Sequence, residues 1–347
     1  MHAQKTDPPI HSRRSGFTLV EIMVVVVIIG ILASILVPVL GGIIRRTNEA
    51  AVKVEIHSLE NAIADFKTKF GCDPPDHIFL YEFTNGWAND SQSRAKIIRI
   101  WPRFNFNFPQ GRYLNNDSDT LDTIHLSGAE CLVFFLGGMP NYQPLEDKNG
   151  NNVLDSGEDA NGNGHLDIKF YMTGFSKSPT NPFARVALGQ SESRVGPFFE
   201  FPSARLKDHE VSPVSLDDFP EFRDSLNNQT APYLYLSSHG GRGYADHGGF
   251  VFHFGFGNAP NPNLPTPNSN LLFWNRNYPY RQSAGGPYWK TRTFQIISPG
   301  YGPHENTAGQ FCPYGTADVY DPENTNELSP LDADNITNFS QGSRLKP

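Results

Sequence analysis

An uninterrupted apolar segment near the amino terminus is the strongest pattern in the chain. Ile22–Ile44 contains no charged residue over 23 positions, and a helix needs about 20 mainly apolar residues to cross a bilayer. Arg13 and Arg14 precede the segment, and Glu21 lies at its edge. The pattern predicts a membrane-spanning helix with a basic leader before it.

The hydrophobic spacing after this segment remains helical. Up to Phe70, apolar residues recur at intervals of four, three, four, three and four positions, as Val52, Ile56, Leu59, Ile63, Phe66 and Phe70. Such spacing places them on one face of a helix, and Gly71 with Pro74-Pro75 then ends it. We predict one helix over residues 17–70, whose apolar face packs on the rest of the chain or contacts another chain.

The remainder, residues 71–347, alternates short apolar runs with stretches rich in proline, glycine and asparagine. Gly128–Leu136 is typical of a short helix or a buried strand, and Phe104–Phe108 alternates as a strand does. Further strand candidates are Ile168–Met172, Phe198–Phe201, Tyr233–Leu236, Phe250–Phe254, Leu271–Trp274 and Thr293–Ile297. The prediction is an α+β fold in which an antiparallel sheet with long loop insertions lies on the long helix.

Gly16 stands between the basic leader and the apolar run, where a processing enzyme can cut. A secretory signal peptide has a shorter apolar region with small residues at the cut after it, and no Ala-x-Ala follows the long run here. Residues 1–16 are therefore interpreted as a leader and Phe17–Ile44 as retained. A plain membrane anchor is the alternative. A carboxylate at the bilayer centre costs about 2.5–3.5 kcal/mol. Glu21 lies nearer the interface, where the cost is smaller, but a plain anchor has no use for this carboxylate.

The hexapeptide Gly16-Phe17-Thr18-Leu19-Val20-Glu21 resembles the processing motif of type IV pilins and type II secretion pseudopilins. The similarity to major pseudopilins continues in Val24–Ala33 and Leu59–Phe70. The resemblance implies cleavage after Gly16 and N-methylation of Phe17 by prepilin peptidase. It also implies that Glu21 pairs with the α-amino group of Phe17, in a neighbouring subunit or in the same chain before assembly. Pro38 stands where these families have a helix-disturbing proline.

The resemblance implies a pseudopilin-like structural subunit, and not an enzyme, that polymerises through its amino-terminal helix to support protein secretion. The alternatives are a minor type IV pilus subunit and a membrane-tethered domain with a calcium-binding loop that uses the motif only for export. The implied partners are other pilin-like subunits, prepilin peptidase and the secretion machinery of the inner membrane. The implied location is a single pass through the inner membrane, with residues 71–347 in the periplasm or on an extracellular filament.

Composition narrows these possibilities further. The formal net charge is −8 and no long basic run occurs, so nucleic acid is not an expected partner. Disulfides persist outside the cytoplasm, and the chain has three cysteines, Cys72, Cys131 and Cys312. They allow at most one intramolecular bridge, and the sequence leaves its pairing open.

An acidic loop at residues 147–167 carries the spacing of a calcium-binding loop. Such a loop has oxygen donors at positions 1, 3, 5, 9 and 12 and a backbone carbonyl at position 7. The corresponding residues are Asp147, Asn149, Asn151, Asp155, Glu158 and, for the carbonyl, Val153. A second copy begins 12 residues later with Asp159, Asn161, Asn163, His165 through its carbonyl, and Asp167, but Phe170 stands where its closing acid belongs.

This pattern predicts a structural Ca²⁺ site. No clear helices flank the loop, so it resembles thrombospondin-type or dockerin-type calcium loops more than a helix–loop–helix sensor. The five acids within residues 147–167 repel one another unless a cation lies between them. The alternative is a solvated loop without an ion.

The carboxyl-terminal tail resembles the closing strand and calcium loop of major pseudopilins, in Phe294–Gly300 and Asp332–Phe339. The resemblance implies a second, weaker calcium site with Ser298, Asp332 and Asp334 as ligands. The chain departs from the family pattern at Tyr301-Gly302, where an Asp-Gly pair is usual.

A histidine-containing segment is interpreted as a connection between strands. Ser238, His239, Asp246, His247 and His253 lie close together, but no phosphate-binding, serine-hydrolase or zinc-protease motif surrounds them. We expect neither catalysis nor metal binding from this segment.

Overall fold

The long amino-terminal helix that the sequence predicts is present in the computed structural model. The structure describes residues 18–108, 113–115, 120–145, 148, 155–158, 168–185, 193–208, 219–226, 231–244, 279–301, 319–323, 328, 330–340, 342 and 344–345. The α-helices in this part of the chain are α1 (Leu19–Phe70), α2 (Thr84–Asn89), α3 (Ser91–Ile100), α4 (Gly128–Gly137) and α5 (Pro330–Ala333).

The strands are short and all their pairings are antiparallel. They are β1 (Ile78–Tyr81), β2 (Thr123–Leu126), β3 (Pro140–Pro144), β4 (Ile168–Met172), β5 (Phe175–Ser176), β6 (Arg194–Val195), β7 (Leu206–Lys207), β8 (Glu221–Phe222), β9 (Leu234–Ser237), β10 (Phe294–Ser298) and β11 (Ile336–Thr337). Four sheets are two-stranded pairs, and β10 lies between β9 and β11 in a three-stranded sheet. The α+β class is confirmed, but the described strands form several small sheets instead of one.

The chain divides into two compact units, residues 1–47 and residues 48–347. The first contains the apolar part of α1, in which a stretch is long and apolar enough to cross a membrane. The second contains the rest of α1 and all the other elements.

The predicted apolar face of α1 packs on the other elements of the second unit. The side chains of Val52, Ile56, Leu59, Ile63 and Phe66 are at most 1% exposed and belong to the main hydrophobic core. Phe66 contacts the rings of Phe135 in α4 and Phe198, with centroid separations of 5.9 and 5.6 Å. Packing of a helical stripe against an aromatic core is the main stabilising contribution that a long helix of this kind receives.

Polar side chains beside this stripe also contact the body. Glu55 accepts hydrogen bonds from Arg205 and from the hydroxyl of Tyr233, the latter at 2.6 Å. Lys53 donates to the backbone carbonyl of Ser340 at 3.1 Å, and Asn338 donates to Glu60 at 3.0 Å. The carboxyl-terminal tail and the segments that contain Arg205 and Tyr233 are therefore bound to the same helix.

Helix α4 lies at the centre of the core, and all ten of its residues are buried. Ser127 and Glu130 form a capping box at its start, and the Glu130 carboxylate accepts the backbone N–H of Ser127. Such a box supplies partners for N–H groups that a helix start leaves unpaired. It decides in favour of a helix where the apolar pattern allowed either a helix or a strand.

Two predicted strands are wrong, and the reason in each case is an alternative partner for the backbone. In Phe104–Phe108 the aromatic residues alternate as predicted, but Asn105 donates its N–H to the carbonyl of Thr180, and none of the described strands pairs with the segment. In Phe198–Phe201, both Phe198 and Phe199 donate to the carbonyl of Leu136. They satisfy the carboxyl end of α4 instead of a sheet. The candidates Phe250–Phe254 and Leu271–Trp274 lie outside the described residues.

Two buried carboxyl groups, Glu130 and Glu221, lie in this core. Glu221 is 1% exposed, and neither oxygen of its carboxyl group accepts a hydrogen bond from the residues that the structure describes. Burial, and then the nearby acids Glu130 and Asp208, raise the pKa of Glu221. Burial also raises the pKa of Glu130, to about 7. The folded protein therefore holds protons here that the unfolded chain releases above its ordinary carboxyl pKa.

We expect Phe66→Ala to lower the free energy of unfolding by about 3–5 kcal/mol, because it removes a ring from a fully packed site. Val54→Ala is the control on the same helix, since Val54 is 67% exposed and its truncation is expected to change stability by less than about 0.5 kcal/mol. Chemical denaturation of the full chain in detergent measures both. Equal unfolding midpoints for the two variants would contradict the packing described above.

The buried acids predict that stability falls as pH rises. Because their pKa values are raised in the folded state, the stabilisation is complete below the ordinary carboxyl pKa of 4.5. The contribution of Glu130 is lost as pH rises through about 7, and that of Glu221 as pH rises through its own raised pKa. Glu221→Gln keeps the shape of the side chain without its charge. At about pH 8 the unfolding midpoint of this variant should be higher than that of the wild type, and its midpoints at about pH 5 and pH 8 should differ less than those of the wild type do. Glu200→Gln, at an exposed acid, is the control. A wild-type midpoint that rises over the same range would exclude this account.

Candidate assembly helix and cation sites

The first unit presents an apolar helix surface with one acidic residue. From Leu19 to Leu36 the large hydrophobic side chains are all exposed, each by half or more of its surface. Apolar side chains lie all around the helix, which is typical of a helix that lipid or other helices cover. Helix α1 continues through Pro38.

Glu21 makes a local contact that the sequence analysis did not foresee. Its carboxylate accepts the backbone N–H of Thr18 at 2.8 Å and the Thr18 hydroxyl at 2.7 Å. The N–H of Glu21 in turn donates to the Thr18 hydroxyl oxygen at 3.2 Å. This is a capping box at the start of α1, so Glu21 has a use even in an isolated chain. The predicted cleavage site Gly16 and the predicted partner Phe17 lie outside the described residues.

In the first copy of the predicted calcium loop, residues 147–158, the structure describes residue 148 and residues 155–158. Glu158 is buried, and its carboxylate accepts the backbone N–H of Lys148 at 2.9 Å and of Asp155 at 3.0 Å. These residues stand at positions 2, 9 and 12 of the predicted loop, so the closing acid holds the loop ends together. The other predicted ligands lie outside the described residues, namely Asp147, Asn149, Asn151, Val153, Asp159, Asn161, Asn163, His165 and Asp167.

The predicted site in the tail lies where β10 ends and the chain leads into β11, and Gly300 approaches Asp334 there. Strand β10 pairs Ser298 with Ile336 of β11. A side-chain carbon on Gly300 would lie 2.2 Å from the Asp334 carbonyl oxygen, so only glycine fits this turn, which has a φ of +67°. Ser298 donates its hydroxyl proton to Asp224, a buried acid that the sequence analysis missed.

Asp332 faces a different group of residues. Its carboxylate accepts the hydroxyl proton of Tyr280 at 2.9 Å, and Asn335 donates to the same hydroxyl at 3.0 Å. Asp224, Asp332 and Asp334 are all buried. They do not form a set of three ligand atoms within 4.8 Å of one another in the described chain.

One such set does occur in the described residues, and it involves a histidine that the sequence analysis set aside. Asp76, His77 and His239 each offer a ligand atom within 4.8 Å of the others. Burial alone would raise the pKa of Asp76, but the hydrogen bond and charge of His77, the charge of His239 and the N–H of Ser237 bring it down to about 2. Ser238 is adjacent, whereas Asp246, His247 and His253 lie outside the described residues.

The cysteines that the structure describes are not bridged. Cys72 and Cys131 are free and buried, and burial raises the pKa of both thiols. Thiols of this kind are unreactive packing residues. Cys312 lies outside the described residues.

Comparison with known proteins places the similarity in the amino-terminal part. The model of the prokaryotic N-terminal methylation motif matches residues 11–37. Type II secretion system core protein G of Aeromonas hydrophila is 49% identical over 55 residues, which is 16% of this chain and 38% of that protein. The same protein of Vibrio cholerae is 47% identical over 55 residues, with the same coverage.

A longer match extends into the second unit. Core protein G of Klebsiella pneumoniae is 31% identical over 102 residues, 29% of this chain and 64% of that protein. The chain thus spans less than two thirds of the length of these relatives, and no solved structure matches it. Its amino-terminal part carries the prokaryotic N-terminal methylation motif and is homologous to type II secretion system core protein G.

Proposed function

We propose that this chain is a pseudopilin-like structural subunit of a type II secretion system. In this role it is made as a precursor, cut after Gly16 and methylated at Phe17. The observation that carries the proposal is an exposed apolar helix with one acid, Glu21, in the segment that is similar to core protein G. A structural role of this kind requires no catalytic step by the chain itself.

The apolar surface of α1 determines what the partners must be. Before assembly, lipid of the inner membrane covers it. In a filament, the same surface packs against the helices of other pilin-like subunits. The chain then meets prepilin peptidase and the inner-membrane secretion machinery, while residues 71–347 lie in the periplasm or on an extracellular filament.

The capping box at Thr18 and Glu21 favours a specific alternative. In a membrane-tethered domain that does not polymerise, Glu21 would serve only to cap α1. In a pseudopilin or a type IV pilus subunit, its negative charge would also pair with the amino group of Phe17 in a neighbouring subunit. The two roles differ in whether the charge is needed.

The prediction is that Glu21→Gln and Glu21→Ala both abolish filament formation and secretion. Glutamine still accepts the capping hydrogen bond but has no charge, and removing one partner of a buried ion pair costs about 3–5 kcal/mol. Assembly is measured on filaments sheared from cells. Intact-mass analysis of membrane-purified chain should show N-methyl-Phe17 as the first residue in both variants.

Ser34→Ala is the matched control, because Ser34 is an exposed polar residue in the same segment whose hydroxyl donates to the Ile31 carbonyl at 2.7 Å. It should assemble as the wild type does. If Glu21→Gln assembles normally and only Glu21→Ala fails, the charge is dispensable and Glu21 acts only as the cap of α1. A wild-type chain that is processed but found in no filament, and whose Glu21→Ala variant works as the wild type does, would favour the tethered domain. A chain that still begins at Met1 in native membranes would overturn the whole proposal.

We also propose that calcium orders the acidic loop and, more weakly, the tail. The support in the loop is the buried Glu158 carboxylate, which holds both loop ends together. The support in the tail is the pairing of Ser298 with Ile336, the close approach of Gly300 to Asp334, and the burial of Asp224 and Asp332. Binding in such extracellular modules is weak, with a Kd on the order of 10⁻⁴–10⁻³ M.

Calcium at millimolar concentration is expected to raise the thermal unfolding midpoint of the full chain. Glu158→Gln should remove the larger part of this increase and Asp334→Asn the smaller part, because each loses one charged ligand. Asp65→Asn, at an exposed acid on α1, should leave the increase intact. Equal increases in all four proteins would rule out calcium at these two places.

A further inference from the structure

A mixed histidine and carboxylate cluster links the segment after α1 to the end of β9. Asp76 and His77 lie in the segment between α1 and β1, and His239 follows β9 of the three-stranded sheet. The Nδ1 atom of His77 is 3.0 Å from Oδ1 of Asp76, and the Nε2 atom of His239 is 3.4 Å from the same oxygen. All three ligand atoms lie within 4.8 Å of one another.

We propose that Asp76, His77 and His239 bind a divalent transition-metal ion of the Zn²⁺ class. Tetrahedral zinc has nitrogen and oxygen ligands at about 2.0–2.2 Å, and such bonds place neighbouring ligand atoms about 3.3 Å apart. The 3.0 Å separation is that of a hydrogen bond between His77 and Asp76, and both separations, 3.0 and 3.4 Å, are also close to this ligand spacing. Two imidazoles and one carboxylate suit zinc, whereas calcium requires six to eight oxygen ligands.

The backbone around the cluster positions these ligands. The second oxygen of Asp76 accepts the N–H of Ser237 at 2.9 Å, so the carboxylate is fixed with Oδ1 towards the histidines. The hydroxyl of Tyr235 donates to the carbonyl of Pro74 at 2.9 Å and holds the segment before Asp76 against β9. A ligand set that the fold holds in place binds metal without a further ordering cost.

His239 has an unusual backbone conformation. Its φ is +52°, in the left-handed region that residues other than glycine seldom adopt. Gly240 and Gly241 follow it, yet the strained position holds the histidine whose ring nitrogen faces Asp76. Strain of this kind is stored at functional sites.

Lys96 and a small pocket complete the surroundings. The Lys96 ammonium lies 2.6 Å from Nε2 of His77 and donates to the His77 carbonyl at 2.8 Å. The ammonium donates to Nε2, so the ring is held with Nδ1 towards Asp76 and with its proton on Nδ1. Zinc must displace that proton, and the positive charge of Lys96 makes its binding weaker than in a neutral site. The pocket beside His239 is lined also by Cys72, Asp73 and Ser237. The proposal places its fourth ligand, a water molecule, on this side of His239.

The test is a zinc titration of the full chain in detergent after removal of metals with a chelator. Competition with a chromophoric zinc indicator should show a binding site in the wild type that His77→Ala and His239→Ala weaken by more than about 100-fold, since the loss of an outer partner alone costs 10–100-fold. His57→Ala is the matched control. His57 is an exposed histidine on α1 with a carboxylate, Glu60, at 3.2 Å, and its removal should leave zinc affinity unchanged.

Two further measurements keep the proposal testable if an alanine variant fails to fold. Zinc should raise the unfolding midpoint of the wild type and of His57→Ala, and His239→Gln, which preserves much of the side-chain volume, should lose this increase. X-ray absorption of the zinc-loaded wild type should show two imidazole ligands, and every atom bound directly to zinc should be nitrogen or oxygen. Zinc affinity that is equal in wild type, His77→Ala and His239→Ala, or a wild type that binds no zinc, would overturn the proposal.

Discussion

The contact between the apolar stripe of α1 and the aromatic core is the interaction on which the second unit depends. Val52 to Phe66 supply one side of that core, and α4 with Phe198 supplies the other. Helix α4 is buried on every side, so it has no polar face that could keep it in contact with water as an isolated helix. The small sheets are too short to be stable as independent hairpins. Their buried residues belong to the same core as those of α1 and α4, so the sheets are stabilised by this shared burial.

The same helix has two different surfaces along its length, and this division explains much of its sequence. From Leu19 to Leu36, and again at Ile43 and Ile44, its large apolar side chains are exposed. Beyond Thr47 one face is buried and the others carry charged residues. The first pattern suits a lipid or subunit environment that differs from water on every side. The second suits a helix with a single covered face.

The parts of the fold that local patterns specify could be predicted from the sequence. Helix α1 and strands β4, β9 and β10 follow from hydrophobic spacing, because spacing acts within one element. Helices α2 and α3 were missed, although Asp90 is an amino-terminal cap that accepts the N–H groups of Gln92 and Ser93. In the cluster of Asp76, His77 and His239, the third residue is distant in sequence from the first two. The hydrogen bond that Ser237 donates to Asp76 beside this cluster joins residues 161 positions apart. No pattern within a single element connects them, and neither does it connect Asp224 with Ser298.

The fastening of the carboxyl-terminal tail to α1 has a mechanical consequence. Lys53 holds Ser340, Glu60 holds Asn338, and Glu55 holds Arg205 and Tyr233. A pull along the axis of α1 would load these bonds and the packed stripe at the same time, in shear, instead of opening them one after another. Rupture then requires many contacts to break together. The second unit would transmit force as one piece, as the proposed role in a filament requires.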